Sequence, residues 1–142
     1  MPPTLANRLR MRIGDPVVKR MARLRRSTTT GVLTTTRRDG SPRTTALRVW
    51  NRDGELAIVG LYGTSWWVRD ARAGRPAELE LGRERTRVAL DELTGDAGAA
   101  FWQWFATAEP HHAKRYADVT APLSNEDARR LAVERPAFRV AR

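Results

Sequence analysis

The stretch Gly31-Val-Leu-Thr-Thr-Thr-Arg-Arg-Asp-Gly-Ser-Pro-Arg-Thr-Thr-Ala-Leu47 decides how this chain reads. Thr28 to Thr36 is rich in threonine, with Val32 and Leu33 among them, and β-branched residues favour strands. Arg38-Asp39-Gly40-Ser41-Pro42 is turn chemistry, with Asp-Gly its strongest signal. Arg43 to Asn51 then alternates again through Thr45, Leu47 and Val49. A hairpin brings its two ends together, so Arg37, Arg38 and Arg43 converge with backbone N–H groups and threonine hydroxyls. Such a cluster can cradle a phosphate or a polycarboxylate. The same spacing also fits a solvated basic hairpin tip.

Working outward, Asp53-Gly54 makes a second hairpin turn and Glu55 to Val59 the next strand. Gly60 to Thr64 reads as a loop. Ser65 can cap a short helix, Trp66 to Ala73, which Gly74 stops. Ala77 to Leu81 and Arg85 to Leu93 form another strand pair. Asp96 is the expected cap of a helix from Ala97 to Ala108, with Phe101, Trp104, Phe105 and Ala108 on one face. Ser124 with Asp127 resembles a capping box for a helix through Glu134, and Phe138 to Val140 closes the chain as a strand. At the other end, Thr4 to Arg26 reads as helical, with Asp15-Pro16 as a helix start. Its apolar stripe, Leu9, Ile13, Val17, Met21 and Leu24, is flanked by Lys19, Arg20, Arg23, Arg25 and Arg26. The expected organisation is an amphipathic helical segment, 1–26, followed by a barrel domain, 27–142. Hairpin-linked strands with helices outside define an α+β antiparallel barrel.

The chain has 142 residues, enough for one domain with a real core. It has no cysteine, which excludes disulfides, a thiol nucleophile and iron–sulfur chemistry. No apolar run approaches bilayer length, and Met1 to Ile13 lacks the apolar core of a secretory signal, so a cytoplasmic location is expected. Lys and Arg number 26 against 16 acidic residues, a net charge of +10. That balance calls for an anionic partner or surface. No nucleic-acid motif, nucleophile–base pair, glycine-rich phosphate loop or HExxH pattern occurs, so nucleic acid is not the expected partner. His111 and His112 lack a third ligand at suitable spacing and read as a surface pair, with no metal expected. Trp66 and Trp67 are adjacent, so only one can face inward on a helix.

The quoted hairpin resembles the strand–turn–strand motif of the deazaflavin-dependent nitroreductase family. Thr36-Arg37-Arg38-Asp39-Gly40 and Pro42-Arg43-Thr44-Thr45-Ala46-Leu47 match its pattern of a basic turn followed by Arg-Thr-Thr-Pro-Leu. Gly63-Thr-Ser-Trp-Trp-Val-Arg-Asp-Ala-Arg-Ala-Gly74 is similar to its Trp-x-x-Asn-x-x-Ala helix, and Tyr116 to Thr120 to part of its tail. Asp39, Ala46 and Asp70 depart from the family's Ser, Pro and Asn. The resemblance implies a split β-barrel, the fold of pyridoxamine-phosphate-oxidase-like FMN-binding proteins. It implies an oxidoreductase that passes a hydride from reduced coenzyme F420 to an unsaturated, quinone or nitro acceptor. The alternative is a barrel that binds FMN or another ligand without turnover.

Carried across, Arg38 and Arg43, with Arg37 alongside, meet the cofactor's phosphate and glutamyl tail. Thr44, Thr45, Ala46 and Leu47 run beneath the ring, and Val59, Gly60, Leu61 and Tyr62 flank it. Gly60 leaves room for close approach to the ring. Trp67, Arg69 and Asp70 sit beside the pocket, and Tyr116 is the catalytic candidate, bonding the substrate. The partner is a small-molecule substrate. Relatives of this kind often dimerise, and some reduce lipophilic quinones. The basic N-terminal stripe therefore also fits a peripheral contact with an anionic membrane.

Overall fold

In a computed structural model, residues 28–141 are described, and the helical segment expected over 1–26 lies outside them. Six strands close into one antiparallel barrel in the order β1-β2-β3-β6-β5-β4. They are β1 (Thr28–Thr36), β2 (Pro42–Arg52), β3 (Glu55–Val59), β4 (Ala77–Leu81), β5 (Glu84–Glu92) and β6 (Ala137–Ala141). Among the described residues four helices accompany them: α1 (Trp66–Arg72), α2 (Gly95–Ala108), α3 (Pro110–Ala117) and α4 (Asn125–Glu134).

The turns follow local chemistry. Asp53 and Gly54 both have positive φ, 51° and 86°, as a two-residue hairpin loop with matching twist requires. At the β1–β2 tip only Gly40 does, at 89°, and the Gly40 N–H bonds the Arg37 carbonyl at 2.9 Å. That makes a three-residue loop of Arg38, Asp39 and Gly40 rather than a two-residue one. Asp39 braces it, its Oδ1 accepting from Ser41 N at 2.9 Å and Ser41 Oγ at 2.6 Å.

Two apolar layers hold the molecule. Leu33, Val49, Leu56, Ile58, Leu79, Leu81 and Phe138 fill the barrel interior, where α1 adds Trp67, Val68 and Ala71. Trp50, Ala57, Val59 and Ala137 on the outer face pack against Phe101, Trp102 and Phe105 of α2 and Leu131 of α4. Each of those large side chains contributes about 1.5–3 kcal/mol on leaving water. β3 is therefore apolar on both faces. β2 is alternately covered and exposed from Pro42 to Arg48, because no helix covers its outer side there.

Three details differ from the sequence expectation. The cap of α2 is Thr94, not Asp96, and makes no side-chain cap bond. Asp96 lies inside the first turn and pairs with Arg129 of α4. The buried stripe of α2 is Phe101, Trp102, Phe105 and Ala106, with Trp104 half-buried and Ala108 exposed, because α2 meets α4 as well as the sheet. Helix α3 was not expected at all. Its signals are Pro110 in the first turn and Lys114 and Arg115 in the last, with Asp118 at φ 53° closing it. At α4, the Ser124 side chain accepts from Asp127 N at 3.0 Å, as the sequence indicates.

Candidate functional site

One cleft of about 370 Å³ opens along the middle of β2. Thr45, Ala46, Leu47 and Arg48 form one wall, and Val59 to Tyr62 form another. Thr30, Ser65, Trp67 and Tyr116 complete it. Of the residues read from the sequence, the cleft brings together Thr45, Ala46, Leu47, Val59, Gly60, Leu61, Tyr62, Trp67 and Tyr116. Arg37, Arg38, Arg43, Thr44, Arg69 and Asp70 are not among its lining residues. Arg37 and Arg38 are exposed at the hairpin tip, and the Thr44 side chain is exposed on the outer face of β2.

Hairpin register explains what happens to Arg43. Thr35 and Arg43 are directly paired across β1 and β2, so both side chains point to the same side. Both reach Asp70 of α1: Thr35 Oγ1 donates to Oδ2 at 2.8 Å and Arg43 Nε at 3.2 Å. Arg75 Nη2 donates to Oδ1 at 2.9 Å, while its Nε holds the Thr36 carbonyl at 2.6 Å. Asp70 is 3% exposed. Burial pushes its carboxyl pKa up, but the bonds from Thr35, Arg75 and Arg43 outweigh that and hold it below its ordinary value. Asp70 thus ties the base of the basic hairpin to α1. The Arg43 guanidinium also lies 5.3 Å from the Trp66 ring, and that of Arg69 4.7 Å from it. Trp66 itself is 60% exposed, while Trp67 is buried against Phe138, so the adjacent tryptophans divide as the helix period demands.

The far wall is a tight turn. Gly60 N donates to the Pro136 carbonyl at 2.7 Å, Gly63 N to the Gly60 carbonyl at 2.9 Å, and Arg135 to the Leu61 carbonyl. A Cβ on Gly60 would lie 2.8 Å from the Gly63 carbonyl oxygen and 3.1 Å from Val68 Cγ2. The protein's own turn therefore requires this glycine. Gly60→Ala is expected to cost about 1–3 kcal/mol through overpacking, checked by urea unfolding.

An aromatic relay runs from the rim inward. Tyr62, 86% exposed, meets Tyr116 edge-on at 6.1 Å. Tyr116 lies parallel to His112 at 6.2 Å, and His112 meets Trp50 edge-on at 4.9 Å. His112 is therefore a packed residue and not half of a surface pair; helix α3 places it one turn before Tyr116. Burial lowers its pKa, and the positive charge of Arg48 lowers it further, against the opposing effect of Glu109. It is neutral at pH 7.

Thr30, Arg48 and Ser65 escaped the sequence reading. The hairpin register could have found two of them, since Thr30 pairs directly with Arg48. The Ser65 hydroxyl is buried and has no hydrogen-bond partner among the described residues. Burying an unpaired hydroxyl is costly. An orphaned hydroxyl, mostly apolar walls and tyrosine hydroxyls at the mouth suit a planar ring with hydrogen-bonding edges. The exposed basic tip at the end of the same hairpin suits an anionic tail. The residues present therefore fit a phosphorylated flavin-type cofactor.

The fold is a split β-barrel. It is similar in structure to an F420-H2 dependent reductase, FDR-A (TM-score 0.55, 22% identity, 81% of this chain and 94% of the other). A second F420 reductase gives a TM-score of 0.51 at 21% identity over 85% of this chain and 90% of the other. General Stress Protein 26 from Bacillus anthracis str. Sterne gives 0.57 at 17% identity, covering 87% of each chain. No curated protein gives a significant sequence match. The family model for F420H(2)-dependent quinone reductase matches residues 7–124, and the chain belongs to that family. It is an oxidoreductase that uses coenzyme F420.

Proposed function

We propose that the β2 cleft is where reduced coenzyme F420 meets a quinone acceptor, with nitro and other unsaturated compounds as secondary acceptors. The observation that carries this is the cleft itself, with an orphaned Ser65 hydroxyl in its wall and a basic hairpin on the same strand. When bound, the cofactor supplies a hydride. Thr44, Thr45, Ala46, Leu47, Val59, Gly60, Leu61 and Trp67 would hold its ring. Arg37, Arg38 and Arg43 would hold its phosphate and glutamyl tail, with Arg69 beside them. Asp70 fixes Arg43 rather than touching the ligand.

Tyr62 and Tyr116 stand at the mouth, where an acceptor enters. The Tyr116 hydroxyl donates a hydrogen bond to the acceptor oxygen, and the neutral His112 stacked on its ring orients it. Purified protein given reduced F420 should oxidise it on addition of menadione, seen as the return of the oxidised deazaflavin absorbance. No oxidation with any quinone would overturn the reading. Tyr116→Phe is expected to lower kcat/KM about tenfold, the worth of one hydrogen bond. FMN titrated in parallel is the second reading, and it should bind more weakly because it carries a phosphate but not the glutamyl carboxylates.

A homodimer is part of the same proposal, supported by a similar solved structure that is a domain-swapped dimer. Among the described residues no helix is long and apolar enough to cross a membrane. Peripheral contact by residues 1–26 is supported by their basic stripe and by the lipophilicity of quinones.

A further inference from the structure

Among the described residues lining the cleft, Arg48 is the only charged one. It sits on β2 opposite Thr30, with its side chain exposed on the outer face. Arg43 on the same strand is tied to Asp70, Arg135 holds the Leu61 carbonyl in the facing wall, and the Arg115 guanidinium lies over the Tyr116 ring. Arg48 forms no ion pair with another described residue. Its neighbour across the cleft wall, His112, is uncharged, and Glu109 is buried beside that imidazole at 3.8 Å. A guanidinium offers a planar fork of donors that matches a carboxylate or sulfonate and cannot be deprotonated.

We propose that Arg48 makes this cleft select acceptors that carry an anionic group beside the reducible ring. The inference rests on the reading of the cleft as the acceptor's seat. The acceptor's ring packs at the mouth against Tyr62 and Tyr116, and the acidic substituent reaches Arg48. Neutral acceptors are still reduced, but without this contact.

The test compares a naphthoquinone sulfonate with uncharged menadione as acceptors, in wild type and in Arg48→Gln. The ratio of kcat/KM, sulfonate over menadione, is expected to fall about tenfold in Arg48→Gln, the loss of one charge-assisted bond at a partly screened site. Arg48→Lys should restore part of the ratio. A second arm needs no turnover: a non-reducible naphthalene sulfonate is titrated into the protein while tryptophan emission is followed, since Trp67 lines the cleft. Binding should weaken in Arg48→Gln and with added salt in wild type. An unchanged ratio and unchanged sulfonate affinity would overturn the proposal. A weakened F420 titration with an unchanged ratio would overturn it too, assigning Arg48 to the cofactor. If wild type reduces neither acceptor, the functional reading fails, and the titration alone decides the role of Arg48.

Discussion

Asp70→Ala is expected to lose about 3 kcal/mol of folding stability, measured as a lower urea midpoint with an unchanged slope. The carboxylate is buried and receives bonds from Thr35, Arg43 and Arg75. Removing it leaves the Thr35 hydroxyl buried without its acceptor and places two guanidinium groups near each other with no counter-charge. The loss sits at the lower end of the range for broken buried pairs, because Arg43 and Arg75 side chains remain 24% and 29% exposed and water relieves part of it. Asp70→Asn should lose less, since it keeps one oxygen acceptor. The pH dependence has a definite sign. The folded pKa of Asp70 lies below the ordinary 3.8, so the unfolded chain takes up the proton first as pH falls. This contribution is fully present above that ordinary value and is lost as pH drops through the folded pKa. The acid limb of the stability curve should be shallower in Asp70→Asn. An identical acid limb in both proteins would show that Asp70 is not the anchor described.

Replacing Arg38 and Arg43 together by alanine is expected to weaken F420 binding about a hundredfold or more, since each charge-assisted bond to phosphate contributes about 1.5–3 kcal/mol. The fluorescence of F420 gives the titration directly. Arg38 would act at the exposed tip. Arg43 would act from a position that Asp70 and Trp66 already hold, so little side-chain freedom is lost when ligand arrives. The control is Arg129→Ala with Arg130→Ala, which removes the same charge from α4, where those residues pair with Asp96 and Asp127. Equal loss from the two pairs would mean that net charge, and not the hairpin, binds the cofactor. Asp39 does not weaken the prediction, because its carboxylate is turned into the loop by the Ser41 N–H and hydroxyl.

Most of the architecture was legible before the structure. Thr28–Thr36, Glu55–Val59 and Ala77–Leu81 coincide with the strands read from β-branched and alternating residues, and Asp53-Gly54 makes the turn its chemistry demands. Helix α3 was missed because His-His-Ala-Lys-Arg carries no apolar stripe; its burial comes from Trp50 of the sheet meeting His112. Two of the four residues assigned to the buried face of α2, Trp104 and Ala108, were misassigned because a single helical period cannot show that α4 also packs on it. Close approach there depends on Gly98, whose missing Cβ leaves room for Ala132.

The sequence by itself determined the strands, the turns, the basic hairpin and the family resemblance, because each is written in neighbouring residues and local backbone preference. Only the tertiary structure decided which of those residues share a site. Strand register turned Arg43 toward Asp70 and Arg48 toward the cleft. Chain closure brought Tyr116, far along the sequence, to Tyr62. Packing also gave Gly60 a part in its own turn and made Asp70 the anchor of a hairpin. Such outcomes depend on contacts between distant segments, and no local pattern encodes them.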